Sequence, residues 1–533
     1  MNFLARQAAK LLAIRSTWVV AALTFVWLSA TTWTRPLFLP DEGRYVGVAW
    51  NMLSTHELLV PLLNGLPFFH KPPLFYWITA LALQVFGVNE WAARFSSVAC
   101  ATLMVAMLFW FLKTHVNRQV AAIAAIILAS SPFLFGAGQY ANLDMTVAGM
   151  IAATVLLLAS AVLRLERGQA YRTVLVLAYA AAGLGFLSKG LIGVVLPGGI
   201  VFFWLVGRKR FDTLRRLFWP PAIVAFLVVS LPWMAYMQWR YSGFFDYYIV
   251  YQHFQRFLES GFNNPHPFWF YVPVLIVLTL PWSVQLWRLA SRRFWQDEQH
   301  ADIKGLMLSW LLVVLIFFSI PSSKLVGYVL PALVPLAYFL ALPFARRLNA
   351  KDAKAGTEPQ RALRGFAVSL TVALAICVAA IVVLAVSPRP STKGLAMKMS
   401  LAYTPKDSIV MLERIRYDLA FYLRSSKPAA IVADWNAPDI RTVDTWRKEV
   451  FDAAQFDPAT AAPLLINSGE LLARLCAAHD ASVWLVGDRG SSEGYPFLAG
   501  LAPFAQDGKL SVWRIPAGTQ PTFCAEKPRI DLK

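Results

Sequence analysis

The chain has 533 residues, 58% of them hydrophobic and 15% charged, with 20 Trp and a formal net charge of +19. Long uncharged runs at that composition exclude a soluble protein of this size and indicate a polytopic membrane protein. Lys and Arg in cytoplasmic loops account for the positive balance, so no nucleic-acid partner is called for.

Residues 1–14, with Arg6 and Lys10, read as a cytoplasmic N-terminus, and residues 15–33 as an uncleaved first span with no small-residue cleavage site behind it. The next stretch, Pro40 to Trp77, breaks the spanning pattern. Asp41, Glu42, Arg44 and Tyr45 open it, and His70, Lys71 and the Pro72-Pro73 pair close it. Tyr45, Val48, Met52 and Leu53 recur at helical spacing, which predicts an amphipathic helix at the bilayer surface. The acids have a plain structural reading too: Asp41 as helix cap and Glu42 as partner of the helix dipole. The apolar run Leu74 to Gly87 is 14 residues long, short of the roughly 20 that a span needs. It is read as a second surface or re-entrant helix.

Ten further spans are predicted at about 91–112, 119–137, 143–163, 171–187, 190–206, 217–236, 269–287, 305–320, 326–343 and 365–386, eleven with the first. This parity puts 23 Lys and Arg in inner segments and seven in outer loops. Letting Leu74–Gly87 cross would reverse the bias, against the positive-inside rule. Residues 349–362 form a polar inner linker. The fold class expected is therefore a polytopic α-helical membrane domain, residues 1–386, followed by an outer α/β domain, residues 387–533. In the latter, strand-like runs (SIVML, AAIVADW, SVWLVGD, LSVWRI) alternate with helical stretches. Of four Cys, Cys100 and Cys377 lie in apolar runs, whereas Cys476 and Cys524 lie in the outer domain and are candidates for one disulfide, with separate free thiols as the alternative. No zinc spacing occurs.

With that topology, one membrane face collects the polar residues: Asp41, Glu42, Arg44, Tyr45, His70 and Lys71 from the first loop, Asp144 from QYANLDM, and Lys189 from LSKG. His253, Arg256 and His266 come from the loop after Tyr251, and Lys324 and Tyr328 from PSSKLVGYVLP. Each has a dull explanation alone: snorkelling for Lys189 and Lys324, capping for Asp144, structural roles for the three His. Their convergence suits a donor linked through one phosphate to a polyprenyl chain. The tail stays in the bilayer, cations stabilise charge on the leaving phosphate, and a carboxylate orients or deprotonates the acceptor. No GxxxxGK[ST] or GxGxxG cradle occurs, so a soluble nucleotide donor is not indicated.

The segments PDEGRYVGVAWNML, VPLLNGLPFFHKPPLFYW, YANLDM, LSKG, HFQRF, HPFWFYVPV and SKLVGYVLP, spread over residues 40–335, resemble the integral-membrane glycosyltransferases of the GT-C fold. The likeness is strongest to the lipid A 4-amino-4-deoxy-L-arabinose transferases within the protein O-mannosyltransferase-like superfamily. The resemblance implies Asp41 and Asp144 as catalytic acids and Lys71 as the donor-phosphate lysine, joined by Arg44, Lys189, Arg256 and Lys324. It implies Tyr328 as a further cavity position, and convergence on the same face adds Glu42, Tyr45, His70, His253 and His266 to the expected cavity. It also implies an undecaprenyl-phosphate sugar, used on the periplasmic side of a bacterial inner membrane. Two departures stand out: the family's Glu before the loop lysine is His70 here, and its membrane domain has two more spans.

The sequence reading is a glycosyltransferase that moves a sugar from undecaprenyl phosphate to lipid A or another envelope acceptor. No cofactor is required, because Lys and Arg neutralise one phosphate; the three His leave a divalent metal open. A protein O-mannosyltransferase-like enzyme with another sugar and acceptor is the near alternative. A lipid or solute transporter is the rival from another class, but transporters place ionisable groups near the midplane, often in related halves. The sequence leaves sugar, acceptor and oligomeric state open.

Overall fold

The computed structural model describes residues 3–255, 264–296, 300–349, 357–387 and 390–524. The chain falls into two compact units. The first comprises residues 1–35, 70–78 and 94–387; the second comprises 36–69, 79–93 and 388–533. The expected outer domain lies within the second unit, which also takes in two stretches from the first outer loop.

The first unit is helical. Its helix starts follow from local side chains: Ser16, Asn117 and Asn142 each accept a hydrogen bond from a backbone N–H two or three residues on, which satisfies a donor with no partner inside the helix. Among the described residues, seven helices are long and apolar enough to cross a membrane: Glu90–His115, Leu143–Glu166, Arg172–Lys189, Pro220–Arg240, Ala301–Ser319, Val326–Leu348 and Glu358–Val386. Arg118–Ala129 and Pro132–Gly138 make an eighth if this pair, bent by 61°, is one span. Pro132 accounts for the bend, since it lacks the N–H that would continue the first helix and suits the start of the second. The other predicted spans appear as shorter elements. Residues 15–33 hold the 13-residue helix Thr17–Ser29, and 190–206 the 16-residue Ile192–Gly207. Residues 269–287 hold Tyr271–Leu278, followed by a 3-10 helix over Trp282–Ala290. Leu74–Phe86 is a 13-residue apolar helix, short of a span as expected.

Leu143–Glu166 is buried on nearly every face, so it forms the axis of this unit. Ser96 and Thr146 share a hydrogen bond at 3.2 Å, and His115 and Ser160 another at 2.9 Å. Glu90–His115 therefore runs beside Leu143–Glu166 in the same direction. By contrast Pro220–Arg240 and Thr357–Val386 expose Val224, Val228, Val372, Val382 and Val383, the surface that faces lipid in a membrane protein.

The second unit is built on a six-stranded sheet. Its strands are β3 (Ser408–Leu412), β4 (Ala430–Val432), β5 (Leu465–Ile466), β6 (Val483–Asp488), β7 (Ala505–Asp507) and β8 (Leu510–Ile515), in the order β5-β4-β3-β6-β8-β7. The first four run parallel, with Val410 opposite Ala430 and Leu485, and β8 pairs antiparallel to β6 and β7. Leu412, Val432, Ile466, Leu485 and Trp513 fill one core of this unit. The predicted runs SIVML, SVWLVGD and LSVWRI are β3, β6 and β8. The Cys476–Cys524 disulfide is formed, with Cα atoms 5.5 Å apart, and Cys100 and Cys377 are free and buried.

The first-loop stretches sit within this second unit. They include a two-stranded pair, β1 (Leu62–Leu63) and β2 (Leu66–Pro67), and the helix Asp41–Thr55. Asn64 exchanges two hydrogen bonds of 2.8 Å with the backbone of Ala429 just ahead of β4. Trp50 Nε1 donates to the Ser425 carbonyl, and the Leu37 N–H to the Tyr422 hydroxyl, each at 2.8 Å. The predicted surface helix thus buries Val46, Val48, Ala49 and Met52 as part of a protein core.

Candidate functional site

In the first unit Asp144, Lys189 and Tyr328 come together. Asp144 opens Leu143–Glu166, oriented by the preceding Asn142, and Lys189 closes Arg172–Lys189. These two helices are antiparallel, so the start of one meets the end of the other. The Lys189 ammonium is paired with Asp144 and lies 4.5 Å from the centroid of the Tyr328 ring. Both charged side chains are only 11% exposed. A carboxylate and a cation taken out of water together are costly unless they are well paired. An added Cβ at Gly327 would lie 2.5 Å from Asp144 Oδ2, so a larger residue there would have to displace the carboxylate. Gly185 and Gly193 set up the LSKG turn: a Cβ on Gly193 would meet the Gly185 carbonyl carbon at 2.2 Å, so only glycine lets the two helices approach this closely.

Lys324 lies in the segment that leads to Tyr328. It is buried, and its ammonium donates to the carbonyls of His266 at 2.9 Å and Pro321 at 2.5 Å, with Ser322 at 3.5 Å. Burial lowers its pKa below the ordinary lysine value. Carbonyls carry no net charge, so these partners orient the cation without cancelling it. His266 is exposed and its ring stacks on Phe270 at 4.1 Å, while its backbone N–H donates to the Ser322 carbonyl.

His70 and Lys71 are both half-buried. His70 Nε2 and the Tyr247 hydroxyl are 2.9 Å apart, and Gln252 Nε2 donates to the same hydroxyl at 3.1 Å. Tyr247 and Gln252 lie in a π-helical stretch, Asp246–Gln255, and were not anticipated from the sequence. Their signal was the polar-aromatic run DYYIVYQHFQ, which repeats no simple period. His253 falls in that stretch with its side chain outside the description, and Arg256 lies outside the described residues. Arg94 was also missed, having been read as part of a span. It is fully buried and donates to the Thr32 carbonyl at 2.5 Å and the Arg35 carbonyl at 3.0 Å. Arg35 in turn donates to the Gln139 carbonyl.

The other first-loop residues belong to the second unit. Asp41 does not cap its helix. Pro40 holds the cap position without a side-chain bond, and buried Glu42 reaches back to accept the Phe38 N–H at 2.8 Å. Asp41 is 43% exposed and 3.9 Å from Arg44. Arg44 stacks over Tyr417 at 5.2 Å and lies 3.5 Å from Glu449. Burial works against its charge, but Glu449 and the neighbouring Tyr417, Tyr45 and Asp41 more than offset it, so its pKa lies above the ordinary value. Tyr45 is half-buried in the same helix. Among the described residues no three His, Cys, Asp or Glu side chains gather where they could hold a metal ion.

Residues 70–236 match the Dolichyl-phosphate-mannose-protein mannosyltransferase family. Over 93% of this chain and 97% of the other, the structure superposes on that of ArnT from Cupriavidus metallidurans bound to undecaprenyl phosphate, with a TM-score of 0.78 and 20% identity. The apo oligosaccharyltransferase of Archaeoglobus fulgidus matches with a TM-score of 0.54 and 13% identity, over 90% of this chain and 70% of that one. The chain has the GT-C fold. In sequence, this GT-C protein is 33% identical over 362 residues to an undecaprenyl phosphate-alpha-4-amino-4-deoxy-L-arabinose arabinosyl transferase of Aeromonas salmonicida. The matched stretch is 68% of this chain and 64% of the Aeromonas protein. A Pectobacterium carotovorum protein of the same name is 35% identical over 311 residues, 58% of this chain and 55% of that one. The chain thus spans less than two thirds of the length of these relatives.

Proposed function

We propose that this chain is a glycosyltransferase that moves a sugar from undecaprenyl phosphate to lipid A or another envelope acceptor. The observation that carries the reading is the Asp144–Lys189–Tyr328 cluster at the helix ends of a GT-C membrane unit. The relatives named for undecaprenyl phosphate-linked aminoarabinose support the choice of donor. In the reaction, an acceptor oxygen attacks the anomeric carbon, the bond from that carbon to the donor phosphate oxygen breaks, and undecaprenyl phosphate leaves with the electron pair. The stereochemistry inverts. Lys324 contributes a positive field that its carbonyl partners do not cancel, and Lys71 and Arg256 add to it. Lys189 is shared between Asp144 and the leaving phosphate. A phosphate acceptor is already anionic, so Asp41 and Asp144 position it or the sugar amine; a hydroxyl acceptor needs one of them as base. No step calls for a metal, although His70 and His266 are donors that one could use. The site and residues 387–533 are assigned to the periplasmic side of the inner membrane.

Purified full-length protein in detergent tests this reading. Incubated with undecaprenyl phosphate-aminoarabinose and lipid A, it should yield lipid A heavier by one sugar, with no gradient present. Failure to use any polyprenyl-phosphate sugar, together with gradient-driven lipid or solute movement in vesicles, would favour a transporter. The match over residues 70–236 favours a second reading, transfer to protein hydroxyls; sugar found on a protein acceptor and none on lipid A would select it.

A further inference from the structure

A cavity of about 240 Å³ opens in the first unit between Phe3–Leu12 and Thr17–Ser29 on one side and Glu90–His115, Arg118–Ala129 and Thr357–Val386 on the other. Leu11, Ile14, Phe109, Ala122, Leu370 and Leu374 are among its walls, which are almost wholly apolar. It exceeds the roughly 150 Å³ apolar cavity that takes up benzene. Exposed Val26 and Val372 lie on the helices that frame it, and Leu23, itself a wall residue, is 48% exposed, so the cavity adjoins the lipid-facing surface.

One end of this cavity is charged. Lys113 Nζ donates to the Arg15 carbonyl at 3.0 Å, and Arg118 Nη1 to the Ala13 carbonyl at 2.8 Å. These carbonyls flank the wall residue Ile14. Lys113 also lies 5.9 Å from the ring centroid of Phe109, another wall residue. Lys10 precedes the wall residue Leu11. The side chains of Lys10, Arg15, Lys113 and Arg118 are all exposed. Residues 1–40 and 91–143 contain no Asp or Glu, and Glu358 at the start of Thr357–Val386 lies 4.0 Å from Arg347.

An apolar slot with a cationic rim is the complement of an anionic phospholipid. We propose that this cavity binds one, with an acyl chain in the slot and the headgroup phosphate on Lys10, Arg15, Lys113 and Arg118. The occupant is not the sugar donor. Glu90–His115 and Leu143–Glu166 run in the same direction, so Lys113 and the rim lie at the opposite end of the unit from Asp144. The ligand is a structural lipid of the leaflet on that side, which ties the first two helices to the bundle.

The test is native mass spectrometry of delipidated, full-length protein titrated with phosphatidylglycerol or phosphatidylcholine of matched chains. Phosphatidylglycerol should bind at least tenfold more tightly, since each cation near an anionic headgroup contributes about fivefold. Replacing two of the four cations, Lys10→Ser with Arg15→Ser, should remove most of that preference and leave phosphatidylcholine binding unchanged. Ala125→Phe, which fills the slot, should weaken both lipids. Neither inorganic phosphate nor stoichiometric undecaprenyl phosphate should displace phosphatidylglycerol. Equal binding of the two lipids, an unchanged preference in the double variant, or displacement by undecaprenyl phosphate would each overturn the proposal. None of these readouts depends on glycosyl transfer.

Discussion

Lys189 and Asp144 form a buried pair, and a pair of this kind costs about 3–5 kcal/mol when one partner alone is removed. Lys189→Met should therefore destabilise the membrane unit by about that much and abolish transfer. The double change Asp144→Asn with Lys189→Met should restore most of the thermal stability. If the pair serves the chemistry, activity stays lost in the double variant; recovery of transfer with stability would reduce the pair to a structural role. A second residue-scale effect lies in the second unit, at Asp407. Its buried carboxylate accepts from the Thr404 N–H and hydroxyl, the Ser482 N–H and Trp484 Nε1, at 2.9 to 3.2 Å. Burial alone would raise its pKa, but these four donors win and hold it below the ordinary carboxylate value. A depressed folded pKa means that the contribution to stability is full above the unfolded value of about 3.9 and is lost as pH falls through the folded value. Buried Asp418 has the opposite sign. Burial raises its pKa despite bonds from Ser391 and Thr392, so its contribution is full below the unfolded value and lost as pH rises through the folded one. Acid unfolding followed by hydrogen exchange of β3 and β6 should show Asp407→Asn losing stability at neutral pH and becoming less sensitive to pH below 4. An unchanged acid limb would show that Asp407 does not drive it.

At the scale of elements, the LSKG hairpin rests on the contact of Gly185 with Gly193. Gly193→Ala forces a methyl into backbone and should separate Arg172–Lys189 from Ile192–Gly207, displacing Lys189 from Asp144. Thermal stability and transfer should fall together, whereas Gly198→Ala, where nothing lies within 4 Å of the added carbon, should change neither beyond the small gain of an alanine in a helix. Comparable losses in both variants would mean that the close approach is not what sets the turn. The disulfide is the second element-scale restraint. It closes a separation of 48 residues, for which the chain-entropy model gives about 4 kcal/mol. Cys476→Ser should lower the melting temperature of the second unit under oxidising conditions, and reductant should lower that of the native protein to match. If reductant has no effect, the two thiols are not bonded in solution. Local elements such as β3, β6, β8 and the long spans were legible because their period and composition are set within one stretch of chain. The pairing of Asp144 with Lys189 was not, because it depends on how two helices pack across 45 residues. Nor was the place of Asp41–Thr55: its apolar face reads equally well against lipid or protein, and only its partners Tyr417, Ser425 and Glu449, far along the chain, decide it.

For the whole molecule, the arrangement of the chain across the membrane determines whether the proposed chemistry is on the right side. The seven long helices and the bent pair make the chain multi-pass but do not orient it. Orientation rests on the charge bias, 23 Lys and Arg on one side against seven on the other before residue 387. That bias holds if Leu74–Phe86 does not cross while Thr17–Ser29, Ile192–Gly207 and the segment 271–290 do. Leu74–Phe86 and Thr17–Ser29, each of 13 residues, span about 20 Å as helices against a hydrocarbon core of about 30 Å, so the charge bias and not helix length separates them. The Cys476–Cys524 bond points the same way, since disulfides persist in an oxidising compartment such as the periplasm. A periplasm-active reporter fused after Lys533 should therefore be active, and one inserted within residues 349–362 should be silent. The Asp144–Lys189 end of the membrane unit would then face the periplasm, and the Lys10, Arg15, Lys113 and Arg118 rim the cytoplasm. The reverse pattern would place the cluster where no periplasmic acceptor could reach it and would refute the proposed reaction, however well the fold matches.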